Sequence, residues 1–382
     1  MLPVSEAFFR DPYPVWAGLR DSSPATRVEL PDGSPVWLVT RYADVRALLA
    51  DPRLSVDKRT GDGSWRGFSL PPALDANLLN TDPPNHTRIR RLVSQAFTPR
   101  RVAGLRPRIE RTAAELLDAL PTDGVVDLVR CYAGPLPVTV ICDLLGVPED
   151  DRDDFRSWTD VMLVPPDRSA GARAVGAVHA YLVGLLARKR AAPADDLLSA
   201  LIAARAEGDR LTEDELTSLA FLLLLAGFEN TVHAIGTGVL TLLANPAIDR
   251  ADPGGTVVEE LLRYEPPATV LLRRFTTEEV DVGGVTVPKA ATVLLVPGAA
   301  NRDPDVFPGP DRVVPGRPAA HLSFGHGIHY CVAAPLARIE LEIALGALLR
   351  RFPDLRLAVP AGELTWRPSF RARGLAALPV LR

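Results

Sequence analysis

Hydrophobic and polar positions change their spacing along the chain, and each spacing indicates a type of element. Residues 25–40 (ATRVELPDGSPVWLVT) alternate between apolar and polar side chains on either side of Asp32 and Gly33, which is typical of a β-hairpin. From about residue 82 to about residue 246 the apolar positions follow helical spacing. Residues 279–297 return to strand-like spacing. The pattern therefore predicts a mainly α-helical fold with small β-sheets.

One helix in the middle of the chain is predicted to be unusually long. Thr212 and Glu215 form a capping-box pattern, and helical spacing continues to Pro246, well beyond the usual helix length. Because this segment is apolar on nearly every side, we expect it to be buried. A last helix is predicted over about 332–352. No repeat or linker divides the sequence, so a single domain of residues 1–382 is expected.

Composition and charge argue against two classes of protein. The formal net charge is −4, and the positive residues are spread along the chain, unlike the basic footprint of a nucleic-acid binder. The most apolar run, residues 219–228, is too short to span a bilayer. The N-terminus shows no signal peptide, and three cysteines without CxxC spacing are typical of a reduced protein. We therefore expect a cytoplasmic protein that binds neither nucleic acid nor membrane.

The stretch FGHGIHYC places Cys331 between a glycine-containing turn and the last predicted helix. The start of a helix favours the thiolate form of a cysteine, because backbone N–H groups and the helix dipole point at it. A zinc site would use Cys331 with His326 and His329, but no fourth ligand is evident. A Cys/His nucleophile and a buried packing cysteine are the other readings, and the residues alone leave all of them open.

Three further features carry charged groups at defined spacing. Glu229 stands inside the apolar helix, which is costly unless the carboxylate is paired, hydrated or functional. The alternative is that Glu229 faces a solvent-filled crevice. His86 and Arg90 are four residues apart, so they share one helix face and could bind one anion. Glu260 and Arg263, three apart, could form an ion pair. Taken alone, each pair is more often an ordinary surface contact.

Together these stretches resemble the cytochrome P450 family, specifically a soluble bacterial haem-thiolate monooxygenase of the actinobacterial biosynthetic type, over essentially the whole chain. FGHGIHYC matches the family's Phe–x–x–Gly–x–x–x–Cys loop, EELLR its Glu–x–x–Arg element, and AGFEN its oxygen-activating helix motif. The resemblance implies the family's fold, in which haem lies between the long central helix and the cysteine loop. It also implies that Cys331 is the axial ligand of haem b iron and that Arg312 completes a triad with Glu260 and Arg263.

The resemblance assigns roles to further residues one by one. It implies cofactor contacts from His86, Arg90, Ala226, Gly227, Arg274, Phe324, His329 and Cys331, and catalytic roles for Glu229, Asn230 and Thr231. His86, Arg90, Arg274 and His329 would meet the haem propionates. The alcohol that usually follows the helix acid is absent, because Asn230 stands there and Thr231 comes one place later. Asparagine can hold a water molecule but cannot relay a proton as a hydroxyl does.

The implied function is insertion of oxygen from O2 into a small organic substrate, or its oxidative coupling, with natural-product intermediates as the expected class. Electrons would come from a separate ferredoxin-type donor with its reductase. Arginines such as Arg88, Arg91 and Arg338 would meet this partner, or would form an ordinary solvated surface. Substrate contacts are expected from residues 60–80, 156–185, 268–272 and 370–375. The alternatives are a helper protein of the same fold without turnover, and a zinc protein.

Overall fold

A computed structural model describes residues 2, 4–67, 72–75, 77–163, 167–204, 209–249, 253–318 and 320–382. The helices are α1 (Glu6–Arg10), α2 (Tyr13–Ser22), α3 (Tyr42–Ala50), α4 (Pro72–Asp75), α5 (Asn85–Ala96), α6 (Pro99–Asp118), α7 (Pro135–Leu145), α8 (Arg152–Leu163), α9 (Arg168–Ala191), α10 (Leu197–Ala203), α11 (Glu213–Ala244), α12 (Gly255–Tyr264), α13 (Pro297–Ala300) and α14 (Ala334–Arg351). The strands are β1 (Ala25–Glu29), β2 (Pro35–Val39), β3 (Leu54–Ser55), β4 (Val126–Asp127), β5 (Arg274–Thr276), β6 (Val280–Val282), β7 (Val285–Val287), β8 (Thr292–Leu295), β9 (Arg356–Leu357) and β10 (Pro379–Leu381). The mainly α-helical fold with small sheets is confirmed.

The chain forms two compact units. The first, called the sheet unit, comprises Met1–Phe68, Ala113–Gly134 and Asn230–Arg382. The second, called the helical unit, comprises Ser69–Thr112 and Pro135–Glu229. Two of the four boundaries between the units fall inside helices, because α6 and α11 each carry residues of both units.

The sheet unit is built on a five-stranded sheet with the order β1-β2-β8-β5-β3. Strands β1 and β2 form the predicted antiparallel hairpin, with Ala25 opposite Val39. Strand β2 also pairs in parallel with β8, which lies more than 250 residues later in the chain. The sheet's apolar side chains, among them Val39 and Leu295, pack with Val45 of α3 in one buried cluster. This packing places the end of α3 beside β5.

The helical unit packs its helices through apolar faces. Helix α9 lies on α8, and it buries Leu182 and Leu185 completely. Helix α10 packs on α5, α7 and α9 with Leu197 and Leu198 fully buried. Asp196 caps α10 by accepting from the Ser199 N–H at 2.7 Å. The contacts with α10 hold α5 and α7 in place within the helical unit.

Helix α11 begins within one residue of its predicted start. The capping box is confirmed, because the Thr212 N–H donates to Glu215 Oε2 at 2.9 Å and the Glu215 N–H donates to Thr212 Oγ1 at 3.2 Å. By length and composition alone, α11 and Ser169–Ala191 of α9 could each cross a membrane. Most of the apolar window of α11 is buried inside the protein, as in the core helix of a soluble protein.

Candidate active site

The loop before α14 holds Cys331 in a defined backbone geometry. The Cys331 N–H donates to the Phe324 carbonyl at 2.9 Å, which closes the loop. Gly325 and Gly327 sit inside it with φ of +75° and +70°, a region that L residues rarely adopt. Helix α14 begins at Ala334, two residues later than predicted, so Cys331 precedes the N-cap residue Ala333. Cys331 and His329 are both half-buried.

The end of α3 joins this loop to a buried arginine. Arg274 on β5 is buried, and its Nη1 donates to the Leu49 carbonyl at 3.4 Å. A Cβ atom at Gly327 would stand 3.0 Å from the same carbonyl oxygen. A glycine at 327 suits both the tight packing of the loop on α3 and the φ of +70°. The structure thus brings Arg274 beside the cysteine loop, since both approach the Leu49 carbonyl.

In the helical unit, α5 carries the predicted His86 and Arg90 pair on one face. His86 is buried and Arg90 is half-buried. Burial, with the positive charge of Arg90 adding to it, lowers the pKa of His86 below its usual value. A neutral imidazole beside a guanidinium offers one N–H donor and a full positive charge. Both groups suit a carboxylate ligand.

The predicted motif residues on α11 differ in accessibility although the helix around them is buried. Ala226 is exposed, whereas Gly227, Glu229 and Asn230 are half-buried and Thr231 is buried. A Cβ atom at Gly227 would stand 3.1 Å from the Ile141 side chain of α7. Packing against α7 therefore requires a very small residue at 227, a reason that the sequence pattern did not reveal.

The Glu–x–x–Arg element on α12 forms a buried network in the sheet unit. Arg263 binds Glu260 through Nε and Nη2, both at 2.8 Å. It also donates to the carbonyl oxygens of Asn301 (2.9 Å), Pro310 (2.9 Å) and Arg312 (3.0 Å). Through these hydrogen bonds Arg263 holds the irregular segment that leads to the cysteine loop against α12.

The expectation that Arg312 completes this triad is wrong. Arg312 is exposed and contributes its backbone carbonyl. The second arginine on Glu260 is Arg317, whose Nε lies 3.2 Å from Oε1. The turn at Gly316, with a φ of +85°, precedes Arg317, and the Arg317 guanidinium also donates to the Pro308 carbonyl at 2.8 Å.

Arg88 and Arg338, both expected to meet an electron donor, have acidic partners inside their own unit. Arg88 of α5 pairs with Asp209 at 3.0 Å and with Glu215. Arg338 of α14 pairs with Glu259 at 2.6 Å. Arg91 is exposed on α5. The charges of Arg88 and Arg338 are therefore partly neutralised before any partner approaches.

No sequence pattern pointed to His233, a buried histidine on α11 that lies against the C-terminal turn. A Cβ atom at Gly374 would stand 2.0 Å from His233 Nδ1, closer than van der Waals contact allows. Gly374 lies within the predicted substrate-contact turn, residues 370–375. The imidazole ring therefore fixes how closely this turn approaches α11.

We expect Gly374→Ala to lower the urea midpoint of unfolding, because the added methyl group must displace the His233 ring or the turn. Overpacking of this kind costs about 1–3 kcal/mol. Gly362→Ala is the matched control, since a Cβ there meets nothing within 4 Å. Equal midpoints for the two alanine variants would contradict the close packing of the turn on His233.

The donor chemistry distinguishes haem from zinc. Among the residues that the structure describes, no group of three or more His, Cys, Asp and Glu side chains could hold a metal ion. An axial haem ligand needs only one thiolate, which Cys331 can supply. The haem propionates need cationic or N–H donors, and buried Arg274 beside the loop is such a group. The residues therefore fit haem and do not form a zinc cage.

Comparison with known proteins agrees with a haem-thiolate protein. The family model "Cytochrome P450" matches residues 255–357. Cytochrome P450 107B1 of Saccharopolyspora erythraea is 47% identical, covering 100% of this chain and 97% of that protein. The polyketide biosynthesis cytochrome P450 PksS of Bacillus subtilis is 38% identical, covering 99% and 97%, and its structure aligns with a TM-score of 0.92. The tirandamycin C-bound structure of the P450 monooxygenase TamI is 44% identical with a TM-score of 0.90, covering 98% of both chains.

The chain therefore belongs to the cytochrome P450 family and has its fold. It is a monooxygenase that uses haem b. The hypotheses of a zinc protein and of a helper protein without turnover are not supported, since relatives that match nearly the whole chain are named monooxygenases or cytochromes P450.

Proposed function

We propose that this monooxygenase oxidises a natural-product intermediate, with a polyketide-derived compound as the leading class. One similar protein supports this class by name, because it is a polyketide biosynthesis cytochrome P450. A second similar protein, a P450 monooxygenase, was solved with tirandamycin C bound. The single observation that carries the chemistry is the Cys331 loop, which is closed by the bond between the Cys331 N–H and the Phe324 carbonyl.

The residues of the loop and of β5 are proposed to hold the cofactor. Cys331 would bind the iron as a thiolate, and Phe324 would pack beside the sulfur and limit the access of water. When bound, haem supplies the iron that activates O2, and thiolate ligation favours cleavage of the O–O bond. Arg274 and His329 would donate hydrogen bonds to propionate oxygens.

The remaining cofactor contacts are proposed from the helical unit by resemblance. His86 and Arg90 of α5 suit a propionate, since one is a neutral donor and the other a cation. Ala226 and Gly227 of α11 are small enough to leave room for a flat ring system. The structure adds a second reason for a small residue at 227, because a Cβ there would stand 3.1 Å from the Ile141 side chain.

Proton delivery is proposed to involve Glu229, Asn230 and Thr231. A half-buried carboxylate on an apolar helix can exchange protons with water. The Asn230 amide can hold that water by donating and accepting hydrogen bonds, but it cannot pass a proton on. The substrate's own hydroxyl or a water molecule would then complete the path.

Asn230→Thr is expected to change how much of the consumed O2 appears as product. If the missing hydroxyl limits proton delivery, the product formed per O2 rises, while Asn230→Ala lowers it or leaves it unchanged. O2 consumption is measured with an oxygen electrode and product by chromatography on the same samples. A lower coupling in Asn230→Thr than in wild type would show instead that the amide is suited to this reaction.

We further propose that electrons come from a separate ferredoxin-type protein and its reductase, and that the protein is a single soluble, cytoplasmic domain of residues 1–382. The unit boundaries inside α6 and α11 support one domain. Exposed Arg91 is a candidate contact for an acidic donor.

A spectral titration tests the substrate proposal. Purified haem-loaded protein is titrated with polyketide lactones and with peptides and terpenoids of similar mass, and the spin-state change of the Soret band is recorded. The proposal expects saturable changes with the first group. Saturable changes confined to the other groups would reject it. Product formation with a ferredoxin and reductase pair, compared with either component alone, tests the electron donor.

A further inference from the structure

Three side chains from separate parts of the sheet unit meet beside the cysteine loop. Glu259 of α12 accepts from Arg338 of α14, with Nε at 2.6 Å from Oε1 and Nη2 at 3.0 Å from Oε2. His321, which lies ten residues before Cys331 in the chain, places Nε2 at 3.1 Å from Glu259 Oε2. Both carboxylate oxygens of Glu259 are therefore engaged. We call Glu259, His321 and Arg338 the loop clamp.

The loop clamp carries opposite charges that balance. The Ser323 N–H donates to His321 Nδ1 at 3.3 Å, so the hydrogen on Nε2 is the one that faces Glu259 Oε2 at 3.1 Å. Burial raises the pKa of Glu259, but the hydrogen bonds from His321 and Arg338 outweigh burial and lower it to about 2. Glu259 is thus a carboxylate and Arg338 a guanidinium, so the charges of these two residues cancel.

The loop clamp contacts the residue whose backbone holds Cys331. The Arg338 guanidinium carbon lies 4.5 Å from the centre of the Phe324 ring, within the range of a cation–π interaction. The His321 ring lies 5.9 Å from the same ring. Phe324 in turn accepts the Cys331 N–H at 2.9 Å. Arg338 also approaches the hydroxyl of Tyr330, the residue directly before Cys331, at 3.5 Å.

We propose that Glu259, His321 and Arg338 act as positioning residues that fix the Phe324 ring and set the electrostatic field at the Cys331 sulfur. This inference rests on the proposed role of Cys331 as the iron ligand. Glu259 and Arg338 would act through Phe324 and through their charges, without touching the reacting atoms.

The direction in which each substitution changes the reduction potential follows from the charge that it removes. Reduction of the bound iron adds one negative charge near the sulfur, and a nearby positive charge favours it while a negative charge opposes it. The Glu259 and Arg338 side chains are only 20% and 32% exposed, so water screens them incompletely. Removal of Glu259's charge leaves Arg338 uncompensated and should raise the reduction potential. Removal of Arg338's charge leaves Glu259 uncompensated and should lower it.

The test is the midpoint potential of the substrate-free, haem-loaded protein, measured by spectroelectrochemistry without an electron donor. Glu259→Gln is expected to shift the potential upward and Arg338→Gln downward. The double variant should return toward the wild-type value. Two shifts in the same direction, or no shift in either variant, would overturn the proposal, because a merely structural pair has no reason to give opposite signs.

Control variants separate the effect of charge on the reduction potential from a general disturbance of the structure. Arg351 at the end of α14 pairs with Asp118 at the end of α6 at 3.2 Å, but the two side chains are 60% and 69% exposed. Arg351→Gln and Asp118→Asn should therefore leave the reduction potential unchanged. Should Glu259→Gln fail to fold, Arg338→Gln is compared with Arg338→Lys. The lysine variant keeps the charge and should shift the potential less, and an equal shift would overturn the proposal.

The same samples distinguish this proposal from the role of Cys331 itself. If the wild-type ferrous–CO spectrum lacks the red-shifted Soret band of thiolate ligation, the iron-ligand proposal fails and the loop clamp has no sulfur to act on. If the band is present and the opposite shifts are absent, only the loop-clamp proposal fails.

Discussion

Replacing Arg263 with alanine is expected to lower the free energy of unfolding strongly, because the substitution removes the main partner of a buried carboxylate. The Arg263 side chain is 2% exposed, as is that of Glu260. Breaking a buried ion pair by removing one partner costs about 3–5 kcal/mol, a large share of the roughly 5–15 kcal/mol that stabilises a typical protein. Three backbone carbonyls also lose the donor that joins them to α12.

The urea midpoint of unfolding, followed by circular dichroism, measures this loss. Arg317→Ala is the comparison, because Arg317 binds the same Glu260 oxygen but its side chain is 13% exposed. Its removal should cost about 1.5–3 kcal/mol, the range for one hydrogen bond to a charged group. An Arg263→Ala midpoint at or above that of Arg317→Ala would contradict the central position of Arg263.

Cys331→Ser is expected to lower product formation by more than about 100-fold, the upper end of what is lost when only a supporting residue of a metal site is changed. A serine oxygen is a weaker electron donor than a thiolate, so the iron loses the property that favours O–O cleavage. Turnover is measured with the substrate identified by spectral titration and normalised to the haem content of each sample.

Cys131→Ser is the matched control, because Cys131 is also half-buried but lies in the helical turn Val129–Ala133, away from the cysteine loop in sequence. It should keep near-wild-type turnover. Comparable losses in both variants would show that general destabilisation, and not the loss of an iron ligand, explains the Cys331 result.

Local patterns in the sequence were enough to predict the elements that depend on near neighbours. The hairpin follows from alternation around Asp32 and Gly33, and it forms with the expected pairing. The start of α11 follows from the Thr212 and Glu215 capping box, whose two hydrogen bonds form. Both features arise from residues within a few positions of one another, where chain geometry limits the alternatives.

Contacts between distant residues could not be predicted in the same way. Arg312 and Arg317 lie five positions apart in an irregular, proline-rich stretch, and only the path of its turns decides that Arg317 reaches Glu260. Glu259 was visible in sequence as the neighbour of Glu260, yet its partner Arg338 is 79 residues away. The spacing of charges within a helix carries no information about such partners.

The glycines show a second limit of the sequence patterns. The resemblance implied a cofactor contact at Gly227, and Gly327 stood out as part of a glycine-containing turn. The structure places protein atoms close to both positions. Ile141 lies where a Cβ of residue 227 would point, and the Leu49 carbonyl lies where a Cβ of residue 327 would point. A glycine in the sequence can indicate that there is little space for a side chain at that position, but only the fold shows which group occupies the space.

The ferrous–CO spectrum of the purified wild-type protein tests most directly whether Cys331 supplies a thiolate to haem iron. The protein is reduced with dithionite, exposed to carbon monoxide and compared with Cys331→Ser prepared in parallel. We expect the strongly red-shifted Soret band of thiolate ligation in wild type and its loss in Cys331→Ser. A wild-type protein that binds haem without this band, or a Cys331→Ser variant that keeps it, would contradict the assignment.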